Sequence, residues 1–510
     1  MPDPEQPAHP EMRLSRTEER FEELRGRVGF FAGPALFLGL LLVPIPGLSP
    51  EAHRTLAVLG LVGVWWLSEA LPLAATALVG PALCVLLGVT PAREALRPFA
   101  DPVIFLFLGG FLLAEAMIKH GLNRRIALTV LAQPRLGDSP TGLLTGFGLL
   151  TAFISAWVSN TATAAMMLPI ALSILREIGG RDAPPGAWRS HPATIPLILV
   201  TAFGASIGGL ATPIGTPPNI LGIGLIERTL HRRLNFFEWM QFALPAAVVL
   251  IGLLIWRLRR LATRTAGNDP WTGGGSGWAR AEAKRLGPWT RGQIQVAVVF
   301  VLAVTGWILP GFAAAVLEAD APLVHWLGRR LPEGVVALLA AAVLFALPTG
   351  EAPRARNLSW ADAARIDWGT ILLFGGGMAM GDLAFSTGLA EWMGRGLAAS
   401  LPFTSVLTLT LLFAAIGVAV SEATSNTASA SMIIPLAIAV AQASGVDPVK
   451  PALGACLGCS LGFMLPVSTP PNALAFATGA VPLVRMIRHG FWLDAVGCVV
   501  VVAAVLLLAS

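Results

Sequence analysis

The chain has 510 residues, of which 55% are hydrophobic and only 13% charged. Soluble domains carry about 25% charged residues, and apolar runs of bilayer length recur here from residue 28 to the end, so a soluble globular protein is excluded. The formal net charge of +5 reads as basic cytoplasmic loops flanking membrane spans, not as a nucleic-acid-binding surface.

In chain order, residues 1–27 are polar and read as a cytoplasmic N-terminal tail. They lack the short apolar core and small-residue cleavage site of a signal peptide. Scaffold helices are expected over 28–99, from apolar segments at 28–48, 55–71 and 73–90. Residues 100–226 hold segments 102–120, 142–176 and 192–226. The last two are too long for one crossing. One is interrupted at "SNTATAAMMLP" (Ser159 to Pro169), the other at "PIGTPPN" (Pro213 to Asn219). Residues 227–292 contain a span at 240–257 and a basic linker, expected to flex at Gly273–Gly277. Scaffold helices return over 293–366, with segments 294–311 and 333–348. Residues 367–481 hold 370–389, 404–442 and 449–481, broken at "SNTASASMIIP" (Ser425 to Pro435) and "PVSTPPN" (Pro466 to Asn472). Residues 482–510 supply a last span at 490–509.

The interruptions come in pairs. The two SNT stretches match at seven of eleven positions without a gap. Upstream, "FLGGFLLAEAMIKHGL" (107–122) resembles "FGGGMAMGDLAFSTGL" (374–389). The order GG…GL, SNT, TPPN therefore occurs twice, which marks an internal duplication at about 100–226 and 367–481. If each SNT segment is a re-entrant hairpin and each TPPN segment a broken crossing helix, about 11 transmembrane helices result. With the N-terminus inside, most Lys and Arg fall on cytoplasmic stretches, including the cluster from Arg257 to Arg291. The first hairpin then opens inward and the second outward, so the repeats are inverted. The expected fold is an all-α polytopic membrane protein with two re-entrant helical hairpins, in the multi-pass cell (inner) membrane.

Unpaired backbone groups are costly in lipid, so broken helices persist only where they are buried or line a wet cavity. Pro217-Pro218 and Pro470-Pro471 remove donors and force breaks. Interrupted helices at matching places in two halves point to the binding site of a secondary transporter. Half-helix N-termini suit an anion, and carbonyl and hydroxyl oxygens suit a hard cation such as Na⁺. No Lys or Arg lies within either motif pair, so an anion there needs helix ends and co-bound cations. That chemistry favours cation-coupled anion uptake. A channel would lack alternating access. No HExxH, nucleophile elbow or metal-spaced His cluster is present, so an enzyme is not expected.

With its paired "SNTA" and paired "TPPN" motifs, the chain resembles the divalent anion/sodium symporter family, the INDY-type sodium–dicarboxylate cotransporters, over nearly its whole length after residue 28. The resemblance implies a homodimer and an elevator-type mechanism, with a scaffold part and a moving transport part in each protomer. It implies Na⁺ as coupling ion, no other cofactor, and C4-dicarboxylates such as succinate, malate or fumarate as substrate. Dicarboxylate exchange, and sulfate or citrate transport, remain open within the same fold. Carried over by motif position, Na⁺ site 1 uses Ser155, Ser159, Asn160 and the backbone of Gly215. Na⁺ site 2 uses Ser421, Thr424, Asn426 and the backbone of Ser468, with Ser425 nearby. The anion is expected to touch Asn160, Thr161, Asn426, Thr427, Thr216, Pro217, Thr469 and Pro470.

Several other residues invite a reading. Glu115 and Asp382 occupy equivalent places in the two repeats, and intramembrane carboxylates are functional suspects; inter-helix hydrogen bonding is the competing expectation. Glu422, beside Ser421, stands where it can set the field at a cation. Glu69 is expected to be structural, Trp65 and Trp66 to anchor or pack in the scaffold, and His120 and His489 to face water. Cys456 and Cys459 form a CxxC pair, but with only apolar neighbours in sequence and no second pair they read as packing.

Overall fold

A computed structural model describes residues 16–178, 187–266, 275–318, 321–350, 354–401 and 404–509. Among these residues the regular structure is helical, apart from an isolated bridge between Pro348 and Arg356. Nine of the described helices are long and apolar enough to cross a membrane.

The helices begin where the sequence supplies a cap. In α2 (Pro50–Ser68), α4 (Pro102–Lys119) and α5 (Pro140–Ser155), a Ser or Asp side chain accepts a first-turn N–H and Pro occupies the first helical position. Thr290 and Gln293 form a capping box at the start of α10 (Arg291–Val316). The remaining long elements are α1 (Arg16–Leu42), α3 (Leu73–Leu86), α6 (Asn160–Ile178), α7 (Thr194–Leu210), α8 (Pro217–Leu230), α9 (Phe236–Ala266), α11 (Glu333–Ala346), α12 (Trp368–Ser386), α13 (Val406–Ala423), α14 (Asn426–Ala443), α15 (Val449–Gly458), α16 (Pro470–Ala477) and α17 (Leu483–Leu508).

The two halves correspond helix by helix. Helices α5 and α6 form the first hairpin, and α13 and α14 the second. The first broken helix is α7–α8 and the second α15–α16. The packing between the halves reaches beyond residues 100–226 and 367–481. Helix α4 packs on α11 of the other half, α12 packs on α3, and α9 and α17 close the two series against each other.

Each second half-helix crosses over: α8 packs on α14 and α15, whereas α16 packs on α6 and α7. The breaks of both repeats therefore meet in one helical bundle. Lipid is as apolar as a leucine core, so small residues that allow close approach hold such bundles together. Helix α14 fits that rule, with Thr427, Ala428, Ser429, Ala430 and Ser431 all buried in sequence.

Two boundaries differ from the sequence expectation. Helix α1 begins at Arg16, so it takes in residues 16–27 of the expected tail as well as the first apolar segment. Residues 1–15 lie outside the described residues. Gly275–Arg285 is helical too, so flexing at Gly273–Gly277 does not extend past Gly275; Gly273 and Gly274 lie outside the described residues. The reason is docking: a Cβ on Gly275 would come within 2.5 Å of the Gly137 carbonyl oxygen, and the Ser276 N–H donates to Asp138 Oδ1 at 3.3 Å.

Candidate functional site

Each SNT triplet lies at a hairpin tip. Helix α5 ends at Ser155 and α6 starts at Asn160; α13 ends at Ala423 and α14 starts at Asn426. The same bond closes both tips. Ser155 Oγ donates to Asn160 Oδ1 at 2.7 Å, and Ser421 Oγ to Asn426 Oδ1 at 2.5 Å. Each Asn carbonyl is thus fixed in direction by a serine five residues earlier.

Each tip docks on the helix break of its own repeat. A Cβ on Gly209 would meet Asn160 Oδ1 at 2.4 Å and the Gly215 carbonyl oxygen at 3.0 Å. A Cβ on Gly462 would meet Ser468 Cβ at 3.3 Å, Ser421 Oγ at 3.4 Å and Asn426 Oδ1 at 3.6 Å. Ser155, Asn160 and the Gly215 carbonyl thus gather around Gly209, and Ser421, Asn426 and Ser468 around Gly462. The first cluster offers hydroxyl, amide and backbone oxygens and the second hydroxyl and amide oxygens, sets that fit a hard monovalent cation. Of the other expected ligands, Ser159 Oγ accepts from the Ala162 N–H at 3.3 Å and caps α6. The Thr424 hydroxyl is engaged elsewhere, with Val420 O at 3.0 Å and Ser429 Oγ at 2.7 Å.

The breaks are themselves held by a residue quoted in the motif but given no role from sequence. Asn219 Nδ2 donates to Gly209 O at 2.9 Å and Thr212 O at 2.8 Å. Asn472 Nδ2 donates to Gly462 O and Leu465 O, both at 3.0 Å. The last residue of each TPPN therefore pairs carbonyls that the break frees from their helix, which would otherwise cost about 1–3 kcal/mol each. The signal was present in the duplication: a Gly seven residues before each motif Thr, and the Asn three after. Further support in the first repeat comes from Trp239 Nε1 donating to Leu210 O at 3.0 Å and Thr212 Oγ1 to Ala156 O at 2.5 Å. Nothing in the sequence marked that tryptophan.

The half-helix starts are alike in both repeats. Thr216 (φ −146°, ψ 145°) and Thr469 (φ −143°, ψ 147°) are both extended N-cap residues followed by two prolines. Proline has no N–H, so these half-helices lack their first two donors. The open backbone N–H groups for an anion therefore belong to the first turns of α6 and α14, which begin with Asn160-Thr161 and Asn426-Thr427. Thr161 and Pro470 are exposed, Asn160, Pro217 and Asn426 half-buried, and Thr216, Thr427 and Thr469 buried.

The repeats also differ in a buried acid. Glu422, 4% exposed, accepts from the Met464 N–H at 2.8 Å, the Leu465 N–H at 3.0 Å and Ser468 Oγ at 2.6 Å. The equivalent place in the first repeat carries no acid: Ala156 stands there in "SAWVSNT", against Glu422 in "SEATSNT". The carboxylate thus organises the second break, while the first uses the Thr212 hydroxyl.

Glu115 and Asp382 lie in ion pairs. Glu115 meets Arg365 at 3.3 Å. Asp382 receives the Arg228 guanidinium, which also reaches Asp101 at 3.1 Å. Glu69 pairs with Arg25 at 3.3 Å, and Arg25 Nη1 also donates to the Ala423 carbonyl, at the end of α13, at 3.3 Å. That contact at the second hairpin tip was not foreseen, because Arg25 lay in the stretch read as a tail. Trp66 is fully buried, and Trp65 stacks on Phe30. Cys456 and Cys459 are buried free thiols; Cys456 Sγ donates to Pro218 O at 3.1 Å. His120 Nε2 contacts Asn357 O at 3.1 Å. His489 is buried, contrary to the expectation that it faces water, because Gly490 beside it packs against the backbone of Phe463 and draws α17 inward.

The family described as "Sodium:sulfate symporter transmembrane region" matches residues 27–508. The sodium-dependent dicarboxylate transporter SdcS of Staphylococcus saprophyticus is 34% identical over 491 residues, covering 94% of this chain and 90% of that protein. SdcS of Staphylococcus aureus is 32% identical over 481 residues with the same coverage. Among solved structures, the YdaH transporter of Alcanivorax borkumensis aligns with a TM-score of 0.53 at 14% identity, covering 87% of this chain and 97% of that one.

Proposed function

The chain belongs to the sodium:sulfate symporter family of membrane transporters, and from that premise we propose that it couples Na⁺ entry to uptake of a C4-dicarboxylate such as succinate, malate or fumarate. The observation that carries the reading is the pair of matching oxygen clusters, one where each SNT tip docks on a helix break. The names of the relatives support both the ion and the substrate class. In this reading Asn160 and Asn426 each serve a cation with the side-chain oxygen and the anion with the backbone N–H. Ser155, Ser159 and the Gly215 carbonyl complete the first cation site. Ser421, Thr424 through its backbone rather than its engaged hydroxyl, and the Ser468 carbonyl complete the second. Thr161, Thr427, Thr216-Pro217 and Thr469-Pro470 surround the anion.

Two bound cations offset a doubly charged substrate where neither motif pair contains Lys or Arg. A tip held on its own break moves with it, so alternating access fits an elevator motion of hairpins and broken helices against a scaffold, within a homodimer. The charge distribution favours a cytoplasmic N-terminus in the cell (inner) membrane. Sulfate is the competing anion, because the family's description names it.

The test is uptake of labelled succinate into liposomes containing the purified protein, with and without an inward Na⁺ gradient. Accumulation that needs the gradient and is competed by malate but not by sulfate or citrate supports the reading. Gradient-independent exchange, or stronger competition by sulfate, overturns it.

A further inference from the structure

The basic residues where α9 ends and α17 begins have no part in the transport site. Arg257, Arg260, Arg485, Arg488 and His489 line one cavity of about 410 Å³, with Trp256 at its edge. That volume falls within the range of small-molecule sites, about 300–1,000 Å³. Among the described residues, no carboxylate forms an ion pair with any of these four arginines. Arg257 lies over the Trp492 ring at 4.5 Å and Arg260 over the Trp256 ring at 3.9 Å. Arg257 Nε and both ring nitrogens of His489 are buried without a hydrogen-bond partner, and His489 is only 6% exposed. A cavity with four cationic side chains, no acid and unmatched buried nitrogens is built for an anion.

The surroundings select the kind of anion. Apolar side chains run outward from the cavity along both helices: Val248, Val249 and Trp256 on α9, and Phe491 and Val499 on α17, are all exposed. Tryptophan beside arginine at the end of a long apolar helix is the pattern of a membrane–water interface. Basic pockets between transmembrane helices on the cytoplasmic side bind lipid head groups. A soluble anion has no use for the flanking apolar faces, whereas acyl chains do. We propose that this cavity binds the headgroup phosphate of an anionic phospholipid. The lipid ties α9 to α17, the last long helices of the two repeats, and sits one residue from Gly490, which packs on the second break. The site does not depend on which anion is transported.

Full-length protein in detergent is incubated with phosphatidylglycerol, phosphatidylcholine or inorganic phosphate, and bound lipid is counted by native mass spectrometry. Wild-type protein retains phosphatidylglycerol in preference to phosphatidylcholine, and millimolar inorganic phosphate does not displace it. Replacing Arg485→Gln together with Arg488→Gln weakens retention about 30-fold, and the exposed-rim change Arg260→Gln about fivefold. Equal retention of the two lipids, displacement by inorganic phosphate, or unchanged retention in both variants overturns the proposal.

Discussion

Gly209 and Gly462 hold matching places in the two repeats but do not tolerate a methyl group equally. In Gly209→Ala the new Cβ lies 2.4 Å from Asn160 Oδ1, 3.0 Å from Asn160 Nδ2 and 3.0 Å from the Gly215 carbonyl oxygen. Ordinary contact starts at 3.4 Å, so Asn160 must retreat by 3.4 − 2.4, or about 1 Å, or the backbone must shift. Both groups are proposed ligands of the first cation. Overpacking of this kind costs about 1–3 kcal/mol, equivalent to about 5- to 150-fold in affinity. In Gly462→Ala the nearest atoms stand at 3.3, 3.4 and 3.6 Å, within or close to ordinary contact. Na⁺ activation of labelled succinate uptake in proteoliposomes reads the difference. Gly209→Ala raises the half-saturating Na⁺ concentration within that range or abolishes uptake, whereas Gly462→Ala stays near wild type. Equal behaviour of the two variants refutes the reasoning.

Three further outcomes follow from the same geometry. Glu422→Ala strips a buried acceptor from two N–H groups and the Ser468 hydroxyl, at about 1–3 kcal/mol for each orphaned donor. Its melting temperature in detergent drops well below that of wild type, and an unchanged value sinks the assignment. Asn219→Ala and Asn472→Ala each free two carbonyls. Their losses in stability agree to within about 1 kcal/mol, and a wider gap contradicts the equivalence of the breaks. Burial opposes the charge on Asp362, outside the spans, but hydrogen bonds from Lys119 and Ser359 outweigh it and hold its carboxyl down to about 2 from 3.8. A depressed folded-state value contributes stability above the unfolded pKa of about 3.9 that is lost as pH falls through about 2, roughly 2 kcal/mol in all. Wild type therefore loses more stability than Asp362→Asn between pH 4 and pH 2. Parallel melting curves would show that the ion pair with Lys119 contributes nothing.

The duplicated motifs were legible because lipid penalises broken backbone so heavily that breaks at matching positions must be built in. SNT and TPPN located both tips and both breaks from spacing alone, and the family pattern supplied the proposed oxygen ligands. Pairing was not legible. That Asn219 reaches back to Gly209, and Asn472 to Gly462, depends on a chain reversal whose direction the proline pair does not specify. Nor were the partners of the Thr424 hydroxyl legible: it goes to Val420 and Ser429 because its backbone is extended between two helices. His489 was misjudged, and the contact made by Arg25 went unread, for a common reason. Composition reports polarity along the chain, whereas burial at a helix end depends on which neighbour packs there: α17 on the second break for His489, and the end of α13 for Arg25. The linker glycines looked flexible by composition, and Gly275 is instead a close contact with Gly137.

The central claim is that the two hairpin tips together hold coupling cations and anion. Labelled succinate uptake by Asn160→Ala and Asn426→Ala, each reconstituted with a Na⁺ gradient and each shown to be folded by its elution and melting profile, tests it most directly. The account predicts that each variant loses uptake. Robust Na⁺-driven uptake by both contradicts it.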